Sequence, residues 1–192
     1  MSVNPGDFVV IIGAGTIGLM MLKILRFSAA GKVVVIDVSD SSLSYARKFG
    51  ADFIINPQDN TSEYFIKDIH DWMMDQTGGQ LASKVIVPTA AVPAFNSAIE
   101  ISGKGSDIVF FGLPSPNMSL PIPVHNLLVN EKTLHFSWLA PLVWPRVMQM
   151  LSTRDYRLSE LITHKYSLVD LGIAIKTLEN KEENIVKAIV TF

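Results

Sequence analysis

The chain contains no cysteine among its 192 residues, and this absence excludes several kinds of chemistry. Without cysteine there can be no disulfide framework, no thiolate nucleophile and no cysteine-ligated metal. Histidine is also scarce, and the four histidines have neither an H-x-x-x-H arrangement nor another spacing typical of metal ligands. They are His70, His125, His135 and His164. We therefore expect no metal site, and no Ser/His/Asp set or carboxylate pair indicates a catalytic centre.

Charge is the second scarcity, since only 18% of the residues are charged whereas 48% are hydrophobic. A net charge of −2 and the lack of any basic run argue against a nucleic-acid partner. An apolar composition of this kind is typical of a parallel sheet whose central strands are buried on both faces. Residues 1–6 carry no positive charge, so we expect no secretory signal and a cytoplasmic location.

One long uncharged segment, Phe8–Leu22, could in principle be a membrane span. Its length is about 15 residues, whereas a helix needs about 20 to cross a bilayer. It also contains three glycines, which weaken a helix interior. We therefore expect no membrane span.

The same segment has the pattern of a strand, a glycine-rich turn and a helix. The β-branched run Phe8–Ile12 stops at Gly13–Gly18, which reads G-A-G-T-I-G, and helix-forming residues follow as far as Gly31. A second apolar run, Val33–Ile36, ends on the acid Asp37. Strand, G-x-G-x-x-G turn, helix, strand and acid are together the context that indicates a dinucleotide-binding unit.

Each residue type in this unit has a physical role. Gly13 permits a sharp turn out of the strand, Gly15 has no Cβ to keep a pyrophosphate from the main chain, and Gly18 allows close helix–strand packing. The helix N-terminus near Thr16 offers unpaired N–H groups to the anion. Asp37, 19 positions after Gly18, can accept both ribose hydroxyls and would repel a 2′-phosphate. The pattern therefore predicts NAD(H) in preference to NADP(H).

Strands continue to alternate with helices, which predicts a Rossmann-type, doubly wound, six-stranded parallel sheet followed by a C-terminal α+β tail. The predicted strands are Phe8–Ile12, Val33–Ile36, Asp52–Ile55, Lys84–Val87, Asp107–Phe111 and Thr133–Trp138. The predicted helices between them start at Ser41 or Ser42, at Thr61–Glu63 and at Pro93, and prolines punctuate a loop from Pro114 to Pro123. Two parts are predicted: residues 1–140 are the NAD-binding domain, and residues 141–192 are a segment that belongs to a structural unit other than this sheet.

A doubly wound sheet places its ligand crevice over the carboxyl ends of the strands, where the strand order reverses. The loop tips that face this crevice are Gly13–Gly18, Asp37, Pro88–Ala90 and Phe111–Leu113. The tail is predicted to hold an amphipathic helix with Val143 and Val147, an extended piece over residues 161–166, a second helix with Leu171 and Ile175, and a terminal strand over Ile185–Phe192.

Several segments carry a resemblance to a known family. They read PGDFVVIIGAGTIGL, VIDVSDSSLSYARKFGAD, IVFFGLP, FSWL and LITHKYSLVDLGIAIKTLEN. In this order they resemble the C-terminal half of the zinc-dependent medium-chain alcohol and polyol dehydrogenases, the sorbitol dehydrogenases among them. The glycine motif is shared by many families, whereas the runs at residues 49–52, 137–139 and 161–164 are more specific. In that family the tail returns to the catalytic domain, so residues 141–192 resemble the returning segment.

The resemblance also implies roles for individual residues. Those at the pyrophosphate turn are Gly13, Gly15, Thr16, Ile17 and Gly18. Those around the adenine ribose are Asp37, with Ser42 or Arg47 near it. Those along the nicotinamide end are Thr89, Phe111, Leu113 and Trp138, mostly through main-chain atoms. The chain departs from the family at residues 87–91, where the family usually has an acid and a run of small residues with glycine.

The resemblance implies the NAD-binding half of an alcohol, polyol or sugar dehydrogenase, whose zinc lies in a catalytic domain absent from this sequence. We expect such a truncated domain to have no dehydrogenase activity alone. The alternative is a stand-alone, non-enzymatic NAD(H)-binding module or a subunit that completes a partner protein. A third and less favoured function is zinc-free quinone reduction. The family also implies a homodimer, formed through the edge strand Thr133–Trp138.

Overall fold

The computed structural model describes residues 1–120, 122–139, 142–180 and 184–192. Its main sheet contains strands β1 (Phe8–Ile12), β2 (Lys32–Ile36), β3 (Phe53–Ile55), β4 (Ala82–Val87), β5 (Ser102–Phe110) and β6 (Thr133–Phe136). All neighbouring pairs are parallel, and the strand order is β3-β2-β1-β4-β5-β6. The order reverses between β1 and β4, so the predicted doubly wound sheet is confirmed.

Helices cover both faces of this sheet. The helices are α1 (Thr16–Leu25), α2 (Asp40–Lys48), α3 (Ile69–Thr77), α4 (Val92–Glu100), α5 (Val124–Val129), α6 (Trp144–Thr153) and α7 (Leu171–Asn180). One core cluster joins α1 and α2 to one face of the sheet, and a second joins α3, α4 and α5 to the other. Along β1, Val9 and Ile11 belong to the first cluster and Val10 and Ile12 to the second. The alternation of side chains along a strand therefore explains why β1 has no polar residue.

Helix α2 begins at Asp40, before either of the predicted serine caps. Its N-cap is Ser39, whose side chain accepts a hydrogen bond from the Ser42 backbone N–H. The Ser39 N–H itself donates to Oδ1 of Asp37 at 2.9 Å. The acid at the end of β2 thus holds the cap residue in an extended conformation, and the predicted cap at Ser41 or Ser42 is wrong.

Helix α3 begins at Ile69, with Asp68 as its N-cap, so the helix predicted from Thr61 is wrong over its first eight residues. Side chains in this stretch bond to nearby backbone N–H groups instead. Asn56 accepts from Gln58 and Asp59, and Asp59 accepts from Thr61. These local bonds compete with the helical ladder and favour turns. The apolar spacing that suggested a longer helix was therefore misleading.

Helix α5 was not predicted, because the prolines around it indicated a loop. Pro123 precedes the helix and acts as its N-cap residue, a place where the missing N–H of proline costs nothing. Pro121, in the same predicted loop, lies outside the described residues.

The tail contains a second, two-stranded parallel sheet of β7 (Ile162–Ser167) and β8 (Lys187–Thr191), and 3-10 turns at Leu158–Leu161 and Leu168–Asp170. The first turn lies on α1, where the buried Lys23 Nζ is 2.7 Å from Glu160 Oε2. Leu161 is buried in the α1–α2 core cluster. The predicted boundary between residues 140 and 141 falls on Ala140 and Pro141, which lie outside the described residues.

Other parts of the tail expose apolar side chains. The exposed group on and beside α6 is Leu142, Val143, Trp144, Met148 and Leu151, and on and beside α7 it is Leu168, Val169, Leu171, Ile173, Ile175 and Leu178. No helix within the described ranges is long and apolar enough to cross a membrane.

Candidate cofactor-binding site

The glycine turn between β1 and α1 is compact at two positions and open at the third. Gly13 has a φ of 126°, and its N–H donates to the Ile36 carbonyl oxygen at 2.8 Å. A Cβ on Gly18 would overlap the Gly13 carbonyl oxygen, whereas a Cβ on Gly15 would meet no atom within 4 Å. Gly13 is therefore required by its backbone conformation and Gly18 by packing, and the space beside Gly15 is free for a ligand.

The N-terminus of α1 faces this space without a side-chain cap. The helix begins at Thr16, its N-cap is Gly15, and no side chain accepts from the first-turn N–H groups. The first turn also contains Ile17, as the glycine motif predicts. Uncapped N–H groups and the positive end of the helix dipole suit a phosphate group.

Asp37 is fixed at the end of β2 by two backbone hydrogen bonds. Its Oδ2 accepts from the Ala14 N–H at 2.6 Å, and its Oδ1 accepts from the Ser39 N–H at 2.9 Å. Each carboxylate oxygen has a further lone pair for a ligand hydroxyl. The acid and the glycine turn are thus tied together through Ala14.

A cavity of about 420 Å³ opens beside Asp37. Its residues are Ala14, Gly15, Asp37, Val38, Ser39, Ser41, Ser42, Tyr45, Asn184, Ile185 and Val186. It brings together Gly15, Asp37 and Ser42 from the sequence prediction. Asn184, Ile185 and Val186 were missed, since no polar motif or spacing in that part of the tail pointed to this site.

The loop after β4 lies between the glycine turn and the loop after β5. A Cβ on Gly13 would lie 3.5 Å from Cβ of Thr89, and a Cβ on Gly112 would overlap the Thr89 backbone. The N–H groups of Phe111 and Gly112 both donate to the Val87 carbonyl oxygen. Despite the unusual sequence at residues 87–91, the loop that contains Thr89 therefore packs closely against both neighbouring turns.

A second cavity, of about 460 Å³, lies on the β5–β6 side. Its residues are Phe95, Phe110, Gly112, Leu113, Pro114, Met118, Leu120, Ile122, Phe136, Ser137 and Trp138. It contains Leu113 and Trp138 from the predicted nicotinamide end. Its lining is almost entirely apolar, which fits a ring system better than a phosphate or a sugar.

Arg47 lies elsewhere. Its guanidinium carbon is 4.7 Å from the centre of the Tyr64 ring, and Arg47 lines a separate cavity near β3 together with Tyr64 and Phe53. Of the two residues named beside Asp37, only Ser42 lines the Asp37 cavity.

One of the four histidines, His70, lies in a group of possible metal ligands in the part of the chain that the structure describes. The single group of possible ligands there is Asp68, His70 and Asp71, all exposed at the start of α3. Its acids are engaged locally, since Asp68 caps the helix through the Asp71 N–H. His135 Nε2 lies 2.9 Å from Asp107 Oδ1, and the His164 ring stacks on Tyr166.

Comparison with known proteins identifies the type of domain. The sequence model of the zinc-binding dehydrogenase family matches residues 16–153. Rat (Rattus norvegicus) sorbitol dehydrogenase is 29% identical over 176 residues, which are 92% of this chain and 47% of that enzyme. L-Arabinitol 4-dehydrogenase from Aureobasidium melanogenum is 25% identical over 187 residues, 96% of this chain and 49% of that enzyme.

A solved structure gives the same result. An alcohol dehydrogenase from Thermotoga maritima superimposes with a TM-score of 0.84 at 28% identity, over 97% of this chain and 50% of that one. The chain spans about half the length of the curated relatives it matches. The resemblance to the C-terminal half of this family, which the sequence segments indicated, is confirmed.

Proposed function

The chain belongs to the zinc-binding dehydrogenase family, and we propose that it is the NAD-binding half of an alcohol, polyol or sugar dehydrogenase. The observation that carries this proposal is the carboxylate of Asp37, held by the Ala14 and Ser39 N–H groups at the mouth of the glycine turn. The relatives named for sorbitol and L-arabinitol make a polyol the favoured substrate class.

Asp37 also supports NAD(H) over NADP(H). The two backbone bonds orient both carboxylate oxygens, so that the remaining lone pairs can accept the 2′- and 3′-hydroxyls of the adenine ribose. A 2′-phosphate would place like charges together, and the described residues that line this cavity include no arginine or lysine to offset the repulsion.

The other residues would bind and orient the rest of the dinucleotide. The open space at Gly15 and the uncapped N–H groups of α1 would hold the pyrophosphate. The apolar cavity with Leu113 and Trp138 would exclude water around the nicotinamide. When bound, NAD would accept a hydride from the alcohol carbon. The protein would supply the orientation and the electrostatic environment of the nicotinamide.

Zinc and the substrate would be held by a separate catalytic domain, because the chain has no cysteine. The exposed apolar surfaces of α6 and α7 support the presence of such a neighbour: Val143, Leu171 and Ile175 are 38%, 41% and 47% exposed. We expect this chain alone to turn over no alcohol. Zinc-dependent turnover of sorbitol by the purified chain would contradict that expectation.

A stand-alone NAD(H)-binding module is the second candidate, and one observation favours it. Leu161 and Ala174 are buried within the chain, and Glu160 pairs with Lys23 on α1, so part of the tail is anchored to its own domain. The exposed faces of α6 and α7 argue for the first candidate instead. We also propose a homodimer joined along β6, as the family resemblance implies, and a cytoplasmic location, as the lack of cysteine suggests.

The test is a titration of the purified chain with NADH and with NADPH, followed by energy transfer from the three tryptophans. Asp37→Ala should weaken NADH binding about 10- to 100-fold, the worth of hydrogen bonds to a charged group. NADPH should bind the wild type more weakly than NADH does, and the variant should lose that preference.

Asp75→Ala is the matched control, because Asp75 is an exposed acid on α3, on the other face of the sheet. It should bind NADH as the wild type does. Wild-type protein that binds neither dinucleotide, or an Asp37→Ala variant that binds NADH normally, would contradict the proposed function.

A further inference from the structure

We propose that Asn184–Val186, in the tail, form a second wall of the adenosine pocket and that Thr16 of the glycine turn holds them there. This inference rests on the proposed function, because it concerns the same dinucleotide cleft. It assigns the tail a role in cofactor recognition, whereas the sequence resemblance assigned the tail to the catalytic domain.

The first observation is the position of the segment. The cavity beside Asp37 is lined on one side by Gly15 and by the start of α2, and Asn184–Val186 line it as well. These residues come just before β8, and every other lining residue is at or before Tyr45 in the sequence. The tail therefore forms one side of this cavity, opposite residues that come from the first two helices and strands.

The second observation is how Val186 is held. Its carbonyl oxygen accepts a hydrogen bond from Oγ1 of Thr16, the first residue of α1. Its N–H donates to Oγ1 of Thr163 at 3.1 Å, on the neighbouring strand β7. Both backbone groups of Val186 are thus engaged, one by the cofactor turn and the other by the tail.

The third observation is that the wall is braced from behind. The side chain of Val186 packs against the α1–α2 core cluster, which also contains Leu161. Glu160, next to Leu161, pairs with the buried Lys23 of α1. A wall supported in this way is held in place before a ligand arrives, which lowers the entropy that binding must overcome.

The chemistry of the lining fits the adenosine part of the ligand. Ile185 and Tyr45 bring apolar surface to the cavity, which suits the flat faces of a purine. Asn184 brings an amide that can both donate and accept, as the polar edge of adenine or the ribose hydroxyls require. The segment should therefore act on ligands that contain adenosine and not on the nicotinamide half.

The experiment measures the affinity of the full chain for ADP-ribose, NADH and reduced nicotinamide mononucleotide by isothermal titration calorimetry. Asn184→Ala and Thr16→Val should each weaken ADP-ribose and NADH by the same factor, about three- to tenfold, the usual worth of one hydrogen bond. Binding of the mononucleotide, which lacks adenosine, should not change in Asn184→Ala.

Thr191→Val is the matched control, because Thr191 Oγ1 bonds to the Tyr166 carbonyl oxygen elsewhere in the same small sheet. It should bind all three ligands as the wild type does. Asn184 is exposed, so its replacement tests the wall even if Thr16→Val fails to fold.

The outcomes separate this inference from the function on which it rests. If Asp37→Ala weakens ADP-ribose but Asn184→Ala and Thr16→Val do not, the tail wall is wrong and the proposed function stands. If the wild type binds neither NADH nor ADP-ribose, both are wrong. If Asn184→Ala weakens the mononucleotide as much as it weakens ADP-ribose, the segment acts on overall stability and not on adenosine.

Discussion

Gly15 and Gly18 belong to the same turn, but a side chain is unfavourable at each for a different reason. Replacing each with alanine should distinguish the two reasons. Gly18→Ala would place a methyl group on the Gly13 carbonyl oxygen, so the backbone must shift. We expect it to lower the free energy of unfolding by about 3 kcal/mol, as overpacking of a rigid site does. Gly15→Ala meets no protein atom and should leave the stability of the free protein unchanged.

The same pair should differ in ligand binding. The space that a methyl on Gly15 would occupy is where the pyrophosphate is proposed to lie, so Gly15→Ala should weaken NADH at least tenfold while urea unfolding stays as in the wild type. Urea titration and NADH titration of both variants provide the check. A Gly15→Ala variant that binds NADH normally would show that the anion does not approach the main chain there.

At this scale, sequence succeeds where a residue acts through its own local motif. Gly13, Gly18 and Asp37 were predictable because turn, strand and acid lie within 30 residues of one another. Asn184 was not predictable, because its place in the cavity depends on a tail that returns from far along the chain. Arg47 lies outside the Asp37 cavity, because its guanidinium lies over the ring of Tyr64 near β3.

At the scale of elements, a set of ion pairs and hydrogen bonds, called here the polar ladder, links β4, β5 and β6. Lys84 of β4, which is buried, lies with Nζ 2.5 Å from Asp107 Oδ2 of β5, and His135 of β6 lies 2.9 Å from Oδ1 of the same carboxylate. Burial raises the pKa of Asp107, but the hydrogen bonds from Lys84 and His135 and their charges outweigh it and hold the pKa below its usual value.

The ladder predicts a pH-dependent contribution to stability. Because the pKa of Asp107 is lower in the folded protein than in the unfolded chain, its carboxylate stabilises the fold at pH values above the ordinary pKa of aspartate. That contribution is lost as the pH falls through the lowered pKa. Asp107→Asn should therefore cost about 2 kcal/mol at neutral pH, and the difference from the wild type should shrink in acid.

Urea unfolding of both proteins from neutral pH down into the acid range measures this difference. Asp75→Asn, at an exposed site on α3, should stay within about 0.5 kcal/mol of the wild type throughout. A difference for Asp107→Asn that is constant with pH would mean that the ladder contributes by packing and not by charge.

Whole elements were predictable where apolar periodicity and end signals agree, as they do for β1, α1 and β2. They were not predictable where side chains bond to their own backbone, as before α3, or where proline begins a short helix, as before α5. In both places the local hydrogen bonds of a few residues decide the boundary, and these do not appear in a hydrophobic pattern.

For the molecule as a whole, the alternation of strands and helices was enough to predict the sheet and its switch point. The position of the tail could not be predicted. A segment with both buried and exposed apolar residues fits packing against its own sheet and contact with a catalytic domain equally well. Contacts with the α1 side of the sheet determine the position of one part of the tail. They involve Glu160, Leu161 and Val186, and they anchor the tail beside the glycine turn.

The exposed apolar surface leads to a prediction about assembly. β6 lies at the edge of the sheet, and Phe136 and Trp138 there are 73% and 60% exposed. Phe136 stacks on Phe110, with ring centres 5.4 Å apart, and its other side is open. An unpaired edge with aromatic side chains is a template for a second copy, which a two-fold axis would place antiparallel to β6.

We therefore expect the wild-type chain to sediment as a dimer and Phe136→Lys to sediment as a monomer, because a lysine on an edge strand opposes pairing. Val169→Lys is the control, since Val169 is 94% exposed in the tail, outside the main sheet. Sedimentation equilibrium over a range of protein concentrations measures both. If Val169→Lys dissociates the dimer and Phe136→Lys does not, the tail surface and not β6 joins the copies. A wild-type chain that sediments as a monomer would contradict the prediction that a second copy pairs with β6.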